Sequence, residues 1–361
     1  MAPRKKTPAA ATKAAGPKKT INLALQGGGS HGAFTWGVLD RLLEDEQLEI
    51  EAITSTGAGS MNAAIAVFGL LEGGRDTAKA MLEEFWKKVS ALASFTPKQP
   101  AFFSPVQQPN FFDRILGTQD MGLSAGFMAF DFFTKMFSPY QYNMLDINPV
   151  RDILEQLVDF DVIADNAEYQ LFVNATNVRT GKPRIFKTEE LTLDKVMASA
   201  CMPFVFKAVE VDGQQYWDGG YSGNPALFPL FYHSESRDII VVQATALNKD
   251  DVPTTAAEIL DRANEISFNS NLMHEVRAIE FVNRMLDQHR LDDKRYCYIR
   301  LHRIHAEDLL NDFGGASKLN ADWDFLNHIR DIGYQAANDW LEMHRSKLGK
   351  ASSIDMAGTY L

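Results

Sequence analysis

Apolar and polar positions follow two different periods along this chain. Residues 21–26, INLALQ, form a short apolar run that stops at GGGSHG, and the following AFTWGVLDRLLED places apolar residues at helical spacing. The same order recurs in EIEAITS (49–55), TGAG and SMNAAIAVFGLL (60–71). Strand, glycine turn and helix, twice over, predict a largely parallel sheet whose loops gather at the strands' C-terminal edge, where such sheets bind ligands. RDTAKAMLEEFWKKVSAL, between about 74 and 95, has the spacing of a further amphipathic helix.

Residues 96–146 break the pattern. Phe, Met, Pro and Gly are concentrated there without a clean period. That composition fits a lid with a pliable acyl-chain surface, or a plain helical insertion packed on the core. Periodicity resumes in the strands YQLFVNATNV (169–178) and PRIFK (183–187), the helix-like LDKVMASACMPFVF, and an Asp-Gly turn in VEVDGQQYWDGGYSGNPA. DIIVVQAT (238–245) reads as a strand, residues 255–290 as a long charged helix, YCYIRLHRI (296–304) as a strand and 321–346 as a closing helix.

With 361 residues, 45% of them hydrophobic, the chain can bury one large core or two modest ones. One main domain is expected over 20–235, carrying the insertion, with a C-terminal α+β extension over 236–347 packed on it and a loose end over 348–361. The first 19 residues contain Arg4, Lys5, Lys6, Lys13, Lys18 and Lys19 and no acid, against a chain total of −11. Such a disordered basic tail is a solubilising leader in the plainer reading; in the functional one it makes peripheral contact with an anionic membrane or a lipid granule. The acidic body argues against specific nucleic-acid binding, which needs a basic docking face. Cys201 and Cys297 give neither a disulfide framework nor a metal-ligand spacing, and the histidines give no metal site either. No run reaches roughly 20 apolar residues, and no apolar signal core stands at the N-terminus. A cytoplasmic, metal-free protein, membrane-associated through its tail in the functional reading, is expected.

Three short stretches carry candidate chemistry. LQGGGSHGAF holds Gly27, Gly28, Gly29 and Gly32, which could form a dinucleotide turn. Three consecutive glycines exceed what that turn requires, and only Glu49 and Glu51 lie near the range of its acidic partner. The alternative is an oxyanion site, where bare backbone amides at a helix N-terminus gather around a developing negative charge. Ser55-Thr56-Gly57-Ala58-Gly59 has the spacing of a nucleophile elbow, which normally reads G-x-S-x-G. Here Ser55 stands at the first small position and Gly57 at the central one, so the hydroxyl is gone. In YWDGGYSGNP, Asp218 precedes Gly219 and Gly220; alone this is an ordinary turn, but a carboxylate held among apolar neighbours can act as a general base.

In this order the three stretches resemble the patatin-like phospholipase family. ASACMPFVF (198–206) is similar to the family's A-S-x-A-x-P-x-x-F run, and the C-terminal region resembles the extension of bacterial members. The resemblance implies a three-layer α/β/α fold with a central, mostly parallel sheet and lipid or acyl-ester hydrolysis by a Ser–Asp dyad without cofactor. It gives Gly27, Gly28 and Gly29 the oxyanion amides and Asp218 the role of proton acceptor, with Gly32, Ser55, Gly59, Gly219 and Gly220 supporting the motifs. Gly57 takes the nucleophile's address. Losing that nucleophile costs a serine hydrolase about 10⁶ in kcat, so the chain should be close to inert in acyl transfer.

Substitutes for the missing hydroxyl are weak. Ser60 lies on the first helical turn, where it caps rather than attacks, and at least one of Ser55 and Thr56 must point into the sheet. His31 is better read as fixing the glycine loop than as a catalyst. Retention of every other part favours a recent or deliberate change at this one position. The competing readings are a non-catalytic lipid or acyl-ester binder, with the Phe/Met-rich insertion as its contact surface, and a nucleotide-binding protein acting through GGGSHG.

Overall fold

The computed structural model of the chain describes residues 18–94, 137–249, 252–311, 313 and 315–361. Nearly all of the expected basic tail and most of the aromatic insertion, residues 95–136, lie outside the described residues, and the lid reading lies there with them. Among the described residues, eight strands make one sheet: β1 (Lys19–Leu25), β2 (Leu48–Thr56), β3 (Gln170–Asn177), β4 (Pro183–Lys187), β5 (Val209–Val211), β6 (Gln214–Asp218), β7 (Asp238–Gln243) and β8 (Arg300–His305). β8, β7, β1, β2 and β3 lie side by side and parallel, while β4 and β6 join β3 antiparallel and β5 pairs with β6.

The sheet is covered on both faces, so its inner strands are apolar without alternation. Leu23, Leu25, Ile240 and Val242 pack with α1 (Gly32–Leu43), α2 (Ala58–Gly73) and α3 (Arg75–Ser94). Ala24, Ile239 and Val241 face the other way, against Leu272, Val276 and Ile279. α4 (Leu193–Ser199) adjoins the β3 edge, α5 (Ala256–Asp287) carries that second core, and α6 (Trp323–His344) closes the first. The outcome is the expected three-layer α/β/α architecture. α1 and α6 meet backbone to backbone: a Cβ on Gly37 would stand 1.8 Å from the Arg330 carbonyl oxygen. Among the described residues no helix is long and apolar enough to cross a membrane.

Local deviations from the sequence reading have local causes. The helix-like run from 193 stops at Ser199 because Pro203 disfavours helix before it. β8 begins at Arg300 rather than 296: Asn283 takes both the N–H and the C=O of Ile299 (3.0 and 2.8 Å), leaving them unavailable to the ladder. The β5–β6 hairpin turns on Asp212 and Gly213, both at positive φ (51° and 73°), the signature of a two-residue Asp-Gly turn. Residues 348–361 are not loose. They end in a helix, Met356–Tyr360, with Leu348 and Tyr360 buried and the Tyr360 hydroxyl donating to Gln243 Oε1 at 3.1 Å. The aromatic side chain outweighs the small polar residues around it.

One register feature positions the site. Asn174 of β3 pairs with Thr56 of β2 and Ile185 of β4, whereas the next residue, Ala175, pairs with Asp218 of β6 and Arg184 of β4. β2 and β6 therefore share one side of β3, end to end. Their C-terminal ends meet head-on.

Candidate active site

Gly57 sits where β2 turns into α2, with φ 59° and ψ −129°. Glycine reaches this region without the Cβ penalty that any other residue would meet. A Cβ built there would lie 3.5 Å from Asp218 Oδ2, 3.8 Å from Oδ1 and 3.2 Å from the Gly27 Cα. The register thus brings the expected pair of positions, 57 and 218, within reach of one side chain. The Gly57 N–H donates to Ser199 Oγ at 3.0 Å, and Ser199 Oγ lies 3.1 Å from Ser60 Oγ. Both hydroxyls are fully buried beneath the elbow. Ser55 donates to the Phe172 carbonyl and Thr56 to the Gly223 carbonyl, so no neighbouring hydroxyl takes the tip position.

Asp218 ends β6 and is partly buried. Its Oδ1 accepts the Gly220 N–H at 2.7 Å, while Oδ2, the oxygen nearer position 57, accepts from none of the described residues. Desolvation pushes its pKa up to about 6 against the opposing pull of the Gly220 amide. The carboxyl is thus tuned towards the range where a base can both lose and take a proton near neutrality. Tyr221 stacks edge-on against Phe268 at 5.1 Å and borders this carboxylate, whose charge adds to burial in raising the phenol's pKa. Cys201, whose carbonyl accepts the Asp218 N–H, is no substitute nucleophile: burial pushes its thiol up to about 12.

The glycine loop corrects one assignment. The Gly27 N–H donates to Asn224 Oδ1 at 2.8 Å, which removes it from the oxyanion set. The amides of Gly28, Gly29 and Ala58 donate to none of the described residues. Gly29 takes φ 59°, and a Cβ on it would stand 2.3 Å from the Lys318 carbonyl oxygen, so close packing also demands glycine there. Gly32, Gly59 and Gly219 are packing glycines of the same kind, against Ala58, the Leu25 and Gln26 carbonyls and the Asn174 carbonyl; Gly220 supplies the amide on Asp218. His31 fixes the loop: its Nε2 lies 2.7 Å from Ser317 Oγ, and burial, aided by Lys318, pushes its pKa down to about 3, keeping it neutral.

The residues that tie these parts together were not singled out from the sequence. Asn224 accepts from Gly27 through its side chain and from Gln26 Nε2 through its backbone at 3.0 Å. Asn174 donates to the carbonyls of Gly219 and Gly223, Thr176 to that of Asp218 and Thr54 to that of Ala226. The loop from 218 to 226 is thereby bonded to β2, β3 and the glycine turn at once. Asn224 lies in the quoted YWDGGYSGNP and Ser199 in ASACMPFVF, but nothing in their spacing names their partners. Among the described residues no three His, Cys, Asp or Glu side chains converge to hold a metal ion.

The raised Asp218 pKa makes a stability forecast. Between the ordinary carboxyl value of about 4 and about 6 the folded state holds a proton that the unfolded state has lost, so stability falls as pH rises through that window. Asp218→Asn removes the buried charge and keeps the acceptor for Gly220. It is expected to be more stable than the parent at pH 7.5, by at most about 3 kcal/mol, and no more stable at pH 4. Urea midpoints at the two pH values check this; a variant weaker at both would show that the carboxylate is not strained by burial.

Set against known proteins, residues 23–231 match the family model described as patatin-like phospholipase. The fold is similar to that of VipD from Legionella pneumophila, with a TM-score of 0.40 and 14% identity over 95% of this chain and 73% of that one. No curated protein matches the chain. The matched span runs from within β1 through the elbow and Asp218 to Phe231 and covers more than half of the sequence, and this protein belongs to the patatin-like phospholipase family.

Proposed function

We propose that this chain is a lipid acyl hydrolase framework of the Ser–Asp type whose nucleophile position is filled by Gly57. One observation carries the reading: a side chain at 57 would start 3.5 Å from an oxygen of Asp218 that accepts from none of the described residues, at the tip of a strand-to-helix elbow. A serine there would give its proton to Asp218 as its oxygen attacked the acyl carbonyl. The Gly28, Gly29 and Ala58 amides, which donate to none of the described residues, are the donors for the resulting oxyanion. Asp218 would pass that proton to the departing alcohol as the ester bond broke and the acyl-serine formed; it would then take a proton from the attacking water and return it to the departing serine oxygen as the free acid left. As it stands the chain keeps base, elbow and amides without the attacking atom, and it is inert or nearly so.

Hydrolysis of a p-nitrophenyl acyl ester by Gly57→Ser, compared with Gly57→Ser/Asp218→Ala, tests this. No gain on restoring serine favours the second reading, a non-catalytic lipid or acyl-ester binder, which the absent hydroxyl itself motivates. Gly57→Ala is the control: it adds the same Cβ at positive φ and no hydroxyl. It is expected to stay inert and lose about 1–3 kcal/mol by urea denaturation; unchanged stability would mean that the elbow does not hold residue 57 in that conformation.

A further inference from the structure

The described residues carry an exposed apolar face that the proposed chemistry does not use. Leu145, Met144, Phe204, Tyr140 and Ile147 are 83, 75, 64, 59 and 45% exposed. They form one surface because two segments are bonded together. The Tyr142 hydroxyl donates to the Phe204 carbonyl at 2.6 Å, Lys207 Nζ to the Met144 carbonyl at 2.8 Å and the Ala208 N–H to the Tyr140 hydroxyl at 3.2 Å. Lys207 Nζ also stands 6.0 Å from the centre of the Tyr140 ring. One of the two segments follows directly on residues that hold the site: Ser199, which holds the Gly57 amide, and Cys201, whose carbonyl holds the Asp218 N–H.

Its charge sets it apart. The chain carries −11, yet residues 137–148 contain one charged residue, Asp146, and residues 202–208 contain one, Lys207. A face with no net charge, with exposed aliphatic and aromatic side chains and a lysine at the seam of its two segments, matches a lipid–water interface. An acidic surface elsewhere on the molecule would be repelled by an anionic membrane.

We propose that this face docks the protein on a lipid surface. The claim that docking delivers a lipid acyl ester to Asp218 rests on the function proposed above; the docking itself does not. The test uses the full chain and phosphatidylcholine vesicles in a flotation assay. The parent is expected to float with the vesicles. Leu145→Ser/Phe204→Ser should weaken partitioning by about tenfold or more with an unchanged thermal melt, and Met144→Ser/Leu145→Ser gives an independent second variant. In a Gly57→Ser background the same double substitution should spare a soluble ester and slow a vesicle-borne one. Failure of Gly57→Ser to turn over any ester would count against the hydrolase reading alone, since flotation needs no turnover. A parent that does not float, variants that float as well as the parent, or sedimentation showing a dimer that the variants split would overturn the docking proposal.

Discussion

Gly57→Ser is expected to hydrolyse a short p-nitrophenyl acyl ester at least about 10³-fold faster than the parent chain. Removing the nucleophile of a serine hydrolase costs about 10⁶ in kcat, and what survives comes from oxyanion donors and binding. The parent retains amides that donate to none of the described residues and a desolvated Asp218, so in the proposed reading serine supplies only the attacking atom. The full factor is not expected: the new Cβ meets the Gly27 Cα at 3.2 Å and must be accommodated by a small shift. Two signatures separate dyad chemistry from a fortuitous hydroxyl. Adding Asp218→Ala should return the rate to the parent's level. The rate should also fall as pH drops through about 6, where the carboxylate becomes protonated and can no longer accept the serine proton. A serine variant that is active but indifferent to Asp218 would remove Asp218 from the mechanism.

The second large effect is placed on a residue that touches no substrate. Asn224→Ala in the Gly57→Ser background is expected to lower kcat by about 10²-fold, with a smaller change in KM. Asn224 joins the loop carrying Asp218 to the turn carrying the oxyanion amides, through Gly27 N–H to Oδ1 and Gln26 Nε2 to its carbonyl. Truncation leaves the Gly27 amide buried without its acceptor, which costs about 1–3 kcal/mol, and lets the neighbouring Gly28 and Gly29 amides drift from the position a transition state requires. Asn224→Asp keeps an acceptor for the Gly27 amide but buries a negative charge beside the oxyanion amides, so it should be no faster than Asn224→Ala at neutral pH. If kcat is untouched by Asn224→Ala, Gly27 and its neighbours do not depend on this tie.

Much of this arrangement is legible in the sequence because it is local. INLALQ followed by GGGSHG and EIEAITS followed by TGAG announce strand, tight turn and helix, and β1, β2, α1 and α2 follow that order. Asp212-Gly213 announces its hairpin in the same way. What escaped the sequence depends on partners far along the chain. Nothing local says that β6 enters the sheet behind β2 on the same side of β3, yet that register brings residues 57 and 218 together. The glycines of GGGSHG read as interchangeable donors, whereas Asn224, 197 positions away, occupies the first of them. Tyr360 reads as part of a polar, small-residue end and is buried because a place in the second core lies within its reach.

The most direct check is covalent. In the folded Gly57→Ser variant treated with an alkyl fluorophosphonate, the serine oxygen is expected to displace fluoride from phosphorus, giving its proton to Asp218, so that one phosphonyl group stays on the protein, mapped by peptide mass spectrometry to residue 57, with Asp218→Ala suppressing the labelling. An unlabelled residue 57 in the folded protein, or labelling that ignores Asp218, would contradict the claim that these two positions form a nucleophile and its base.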